Sequence, residues 1–103
     1  MDAAKRKRLE ARGWKVGTVE EFLGLTPEEV AYLEVKLALS RSIRELRQER
    51  RLTQAQVARL LKSSQSRVAK IEAGDASVSL DLLVRSAIAL GASRLDLARF
   101  IAA

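Results

Sequence analysis

Apolar positions recur at helical spacing along most of the chain, and the breaks between runs coincide with capping residues. Ser or Thr followed three residues later by Glu, Gln or Asp occurs at four boundaries, a pairing that satisfies the open donors of a first helical turn. Thr18 with Glu21 predicts a short helix through Leu23, stopped by Gly24. Thr26 with Glu29 opens a longer helix with Pro27 at its first position, where the missing N–H costs nothing. Val30, Leu33 and Leu37, then Leu39, Ile43 and Leu46, carry that helix to about Arg50. Its apolar stripe shifts sideways near Ser40, so a single helix is expected, with a kink or a break into two helices there as the alternative.

Thr53 with Gln56 predicts a helix over 53–61, with Val57, Ala58 and either Leu60 or Leu61 turned inward. Lys62, Ser63 and Ser64 form a turn, and Ser64 caps a helix over 65–73 whose Val68 and Ile71 face the core until Gly74 ends it. Ser79 caps a helix over 80–90 expected to bury Leu80, Leu83, Val84, Ala87 and Ile88, with Gly91 as its stop. Ser93 with Asp96 opens a last helix that turns Leu97, Phe100 and Ile101 toward the core or a partner. No strand pattern, repeat or low-complexity segment intervenes, and the fold class expected is all-α.

Composition narrows the chemistry. With 103 residues the chain suffices for one hydrophobic core. Apolar residues reach 48% but aromatics only 4%, a balance that suits a helical bundle. Cysteine and histidine are absent, which removes disulfides, the usual metal ligands and the common nucleophile and base pairs. An enzyme is not expected, nor a cofactor or metal. No apolar run approaches the ~20 residues of a membrane span, and Met1-Asp2-Ala3-Ala4 leads straight into charge, so a cytoplasmic location is expected.

The net charge of +6 is unevenly spread. Residues 1–15 carry six Lys and Arg against two acids, 16–40 one against five, 41–72 nine against three, and 73–103 three against three. Positive charge therefore gathers on an N-terminal tail and on the central helices, the footprint of a nucleic-acid binder when it coincides with a reading motif.

Such a motif is present. Two short helices joined by a tight turn, with small Ala58 in the first and β-branched Val68 in the second, can cross closely and project the second outward. The outward face of that second helix carries Gln65, Ser66, Arg67 and Lys70, whose amide, hydroxyl and cationic groups can address base edges in a major groove. The string Leu52-Thr53-Gln54-Ala55-Gln56-Val57-Ala58-Arg59-Leu60-Leu61, followed by Ser64-Gln65-Ser66-Arg67-Val68-Ala69-Lys70-Ile71-Glu72-Ala73-Gly74, resembles the XRE, or phage-repressor, helix-turn-helix family. The likeness extends over residues 40–101 and implies a five-helix, lambda-repressor-like DNA-binding domain over 40–103. A tail and an N-terminal helical extension occupy 1–39. The resemblance implies that Gln65, Ser66 and Lys70 read bases, and that Gln54 and Arg67 hold phosphate with help from Ser64, Arg59 and Lys62. It also implies a structural ion pair between Arg47 and Glu72. Lys62 departs from the family, which commonly has glycine in the turn.

The stretch from Gly13 to Pro27 resembles the extension of HigA-like antitoxins, which pair with RelE-fold toxins. By that resemblance Trp14, Val16, Phe22 and Leu23 form a possible toxin surface; packing onto the long helix explains them equally well. The acids Glu20, Glu21, Glu28, Glu29 and Glu34 suit a basic partner, although acids in first helical turns are favoured anyway. The tail Lys5-Arg6-Lys7-Arg8 suits weak phosphate contact. A single recognition helix reads few base pairs, so a homodimer on a palindromic operator is expected. Its interface lies either on the last helix around Leu97, Phe100 and Ile101 or on the extension. The expected function is that of a sequence-specific transcriptional repressor, and the resemblance of the extension implies an autoregulatory antitoxin of a toxin-antitoxin pair. The alternative is a helical module acting mainly by binding a partner protein.

Overall fold

The computed structural model describes residues 24–103, which form five α-helices: α1 (Pro27–Glu49), α2 (Gln54–Leu60), α3 (Gln65–Ala73), α4 (Leu80–Ala89) and α5 (Arg94–Ala102). The Thr18 cap, the basic tail and the Trp14, Val16, Phe22 and Leu23 surface lie outside the described residues. No strand occurs among the described residues. The chain divides into two compact units, Met1–Glu34 and Val35–Ala103, with the boundary inside α1. In the first, Thr26 Oγ1 accepts from the Glu29 N–H at 3.1 Å, and Leu25 packs on the buried Val30.

In the second unit Val35, Leu39, Ile43 and Leu46 form one helical stripe on α1. The sideways shift near Ser40 therefore does not break the helix, which runs unbroken from Pro27 to Glu49. Leu37 falls beside this stripe and is 37% exposed. The α1 stripe meets Val57 and Ala58 of α2, Val68 and Ile71 of α3, Leu83 and Ala87 of α4, and Val78, Leu90 and Ala92 in the connections. Leu97 and Phe100 of α5 pack partly buried against them.

One expectation needs correction, and one open alternative is decided. Along α4 and its C-cap Leu90 the core stripe is Leu83, Ser86, Ala87 and Leu90, at spacings of three, four and seven from Leu83, so Ser86 is fully buried while Ile88, one residue past Ala87, is 53% exposed. Leu80 and Val84 are only partly buried. Of the two candidates at the end of α2, its C-cap Leu61 packs on the core with Val57 and Ala58, while Leu60 is 55% exposed.

The caps act as the sequence suggested. Thr53 accepts from Gln56 N–H at 3.1 Å while the Gln56 side chain accepts from Thr53 N–H at 2.7 Å. Ser93 and Asp96 form the same reciprocal pair, and Ser64 and Ser79 accept from Arg67 and Leu82. Each cap fixes where its helix begins, and so which residues α3 presents outward.

Candidate nucleic-acid interface

The first helix of the motif, α2, packs across α3 through Val57 and Ala58, with Val68 and Ile71 facing them from α3. Emptying such a site, as in Ile71→Ala, costs about 3 kcal/mol. With those two positions buried, helical geometry turns Gln65, Ser66, Arg67, Ala69 and Lys70 to solvent, and all five are exposed. Ser64 Oγ caps the helix 3.1 Å from Arg67 N–H, so the polar face starts at the first turn.

A fork of hydrogen bonds braces the other end of α3. Arg47 Nε lies 2.6 Å from Glu72 Oε2 and Arg47 Nη2 3.0 Å from Oε1, while Nη1 donates to the Leu52 carbonyl at 2.9 Å. The two side chains retain 16% and 5% of their exposure. The hydrogen bond to Glu72 raises the Arg47 pKa above its ordinary value, against the opposing effect of burial. Gln54 Nε2 donates to Glu72 Oε1 at 3.3 Å, so the start of α2 meets the same carboxylate.

Beside α3 runs a groove of about 860 Å³. One wall holds Lys62, Ser64, Ser66, Arg67 and Lys70; the opposite wall comes from the α3–α4 connection and the start of α4, with Ser77, Ser79 and Asp81. Asp81 is paired with Arg85 at 3.0 Å, which offsets the one carboxylate in a cationic groove. The groove therefore joins Ser64, Ser66, Arg67, Lys70 and Lys62. Gln65 is exposed on the same helix; Arg59 is exposed on α2, outside the groove lining, and Gln54 sits at the far end of α2. Ser77 and Ser79 were not singled out from the sequence, where they look like ordinary loop and cap residues. Their place across from Lys62 and Arg67 depends on how α4 packs.

A third residue that sequence reasoning missed is Arg51, whose φ is +57°; Lys62 has φ +52°. Each holds a left-handed conformation that costs a non-glycine residue about 1 kcal/mol. For Arg51 the available signal was its position two residues past the end of α1. Arg51, Arg59, Lys62, Arg67 and Lys70 make no ion pair with any described residue. Among the described residues no cluster of acids converges to hold a metal, and no helix is long and apolar enough to cross a membrane.

A family model for the helix-turn-helix domain matches residues 38–100, more than half of the chain and all of α2 to α4. The chain belongs to the helix-turn-helix domain family. No curated protein and no solved structure gives a significant match. Within this helix-turn-helix domain α2 and α3 are the two motif helices, joined by Lys62, Ser63 and Ser64. The family supports binding to double-stranded DNA and a role in transcription regulation.

Proposed function

We propose that this chain is a sequence-specific transcriptional repressor of the XRE type, with α3 lying in the major groove of its operator. The observation that carries this reading is the α3 face itself, where Gln65, Ser66 and Lys70 point outward from a helix anchored by Val68 and Ile71. Amide and ammonium groups match the donor and acceptor pattern of base edges, and hydroxyls serve either role. Arg67, Lys62 and Ser64, along the groove, supply backbone contacts, with Arg59 and Gln54 on α2. Gln54 would leave or share its bond to Glu72 to reach a phosphate.

Selection of duplexes from a random pool tests this reading. The expected result is a two-fold symmetric site with half-sites about one helical turn apart. Failure to enrich any sequence overturns it.

The repressor acts as a homodimer in this reading. Leu97 and Phe100 pack on the core, whereas Leu95 is 61% and Ile101 46% exposed, and Ala98 between them is exposed too. An apolar strip on an outer helix favours α5 as the dimer face. Pairing with a basic RelE-like toxin, and so an antitoxin role, is supported by the HigA-like sequence of residues 13–27 and by the exposed Glu28 and Glu29. A small basic protein encoded alongside, co-purifying with this chain, is the expected result; a chain that purifies alone from co-expression with its neighbours overturns the toxin pairing.

A further inference from the structure

Four of the five described helices end in the same wrap. At α1, Arg51 N–H donates to Gln48 O at 3.0 Å and Leu52 N–H to Arg47 O at 3.1 Å. At α2 the pairs are Lys62 to Arg59 at 3.1 Å and Ser63 to Ala58 at 2.8 Å. At α3 they are Gly74 to Ile71 at 3.3 Å and Asp75 to Lys70 at 3.1 Å; at α4, Gly91 to Ile88 at 2.9 Å and Ala92 to Ala87 at 3.0 Å. In each case the pivot residue is left-handed, with φ of +57°, +52°, +71° and +98° in chain order. Glycine is the default at this pivot because it has no Cβ to strain.

At the two glycine pivots an added side chain would also press on the tip of a neighbouring one, which would have to shift. A Cβ on Gly74 would lie 2.7 Å from Leu37 Cδ2, and one on Gly91 would collide with the guanidinium of Arg50. The two other pivots carry cations, Arg51 and Lys62, and they stand at opposite ends of α2. Both are exposed, and neither side chain bonds to a described residue. Arg50, next in the chain, differs: its guanidinium lies over Gly91.

We propose that Arg51 holds DNA phosphate, gripping the backbone from one end of α2 as Lys62 does from the other. This assignment rests on the DNA-binding reading above. A helix of seven residues is about 10 Å long, and each DNA strand offers one phosphate per ~3.4 Å of axis, so the two cations engage separate phosphates. An exposed cation in a left-handed conformation, where glycine would carry no strain, motivates a role for its head group. A competing account is that both cations only complement helix C-termini. That account predicts no change in DNA binding when Arg51 is lost.

The test is a salt titration of binding to a mixed-sequence duplex, for the full chain and its Arg51→Gly and Arg51→Lys variants, with thermal unfolding of each. Arg51→Gly is expected to unfold at least as high as the parent. It is also expected to bind about eightfold more weakly at about 0.1 M salt, its log–log salt slope shallower by about 0.9. Arg51→Lys is expected to keep the parental slope. An Arg51→Gly titration that overlays the parent at every salt concentration overturns the assignment and leaves the DNA-binding reading standing. A parent chain that binds no duplex at low salt overturns both.

Discussion

Arg47 of α1 and Glu72 of α3 meet edge to edge, with Nε to Oε2 at 2.6 Å and Nη2 to Oε1 at 3.0 Å. Twenty-five residues apart, they tie the last turn of α3 to the end of α1. Because the pair is largely desolvated, removing one partner strands the other charge. Glu72→Ala is expected to cost about 3 kcal/mol in urea unfolding. A joint Arg47→Met, Glu72→Leu variant should recover most of that loss, and a double variant as unstable as the single one would show that the charges themselves are required.

Base contact and phosphate contact separate by sequence dependence. Gln65→Ala is expected to weaken binding to a selected operator by about 1–3 kcal/mol while leaving mixed-sequence DNA unaffected. Equal losses on both duplexes would remove Gln65 from the base-reading set.

Arg67→Ala should act the other way, lowering affinity for every duplex and flattening the salt slope by about 0.9. Its place in the groove with Lys62 and Lys70 puts it beside the backbone path of the proposed complex. An unchanged slope in a fluorescence-anisotropy titration would place its head group away from phosphate.

The exposed strip of α5 gives a direct test of assembly. Leu95 is 61% exposed and outside the core cluster, so Leu95→Glu leaves the core residues in place. It is expected to leave the unfolding temperature of the monomer unchanged and to halve the mass seen by light scattering. A variant that stays dimeric moves the interface elsewhere, with the N-terminal extension next in line.

Acid should loosen two local structures. Asp96 is held below the usual carboxylate range by the backbone N–H of Ser93 and then its hydroxyl, and Asp75 by the hydroxyl and then the backbone N–H of Ser77. Both folded-state values are depressed, so their stabilising effect is whole above the ordinary aspartate pKa of about 3.9 and fades as pH falls through the folded values. Melting temperature measured downward from neutral pH should drop in that range, and Asp96→Asn should drop less. Parallel curves for parent and variant would deny Asp96 its part.

The two motif helices were legible in the sequence because their signals are local. Thr53 and Gln56 sit three residues apart, Ser64 directly precedes α3, and Gly74 directly follows it; hydrogen bonds within one turn enforce these boundaries. The burial of Val68 and Ile71 followed from helical spacing alone, and with it the outward face of Gln65, Ser66 and Lys70. Spacing failed where two registers were equally apolar. On α4, Ile88 looked like core and Ser86 did not, yet Leu83, Ala87 and Leu90 set the stripe that includes Ser86. Hydrophobicity ranks residues, whereas the neighbouring helices choose the face.

The sequence by itself determined the helices, their caps and the polar surface of α3, since each depends on contacts no more than a turn away. Tertiary packing decided what lies beside that surface. It set Ser77 and Ser79 across a groove from Lys62 and Arg67, brought Gln54 and Arg47 to one carboxylate, and kept Leu60, Ile88 and Leu95 outside. It also set the glycine pivots, where the side-chain tips of Leu37 and Arg50 lie close, apart from the pivots at Arg51 and Lys62. Those outcomes depend on the approach of segments distant in the chain, which no local pattern of residues encodes.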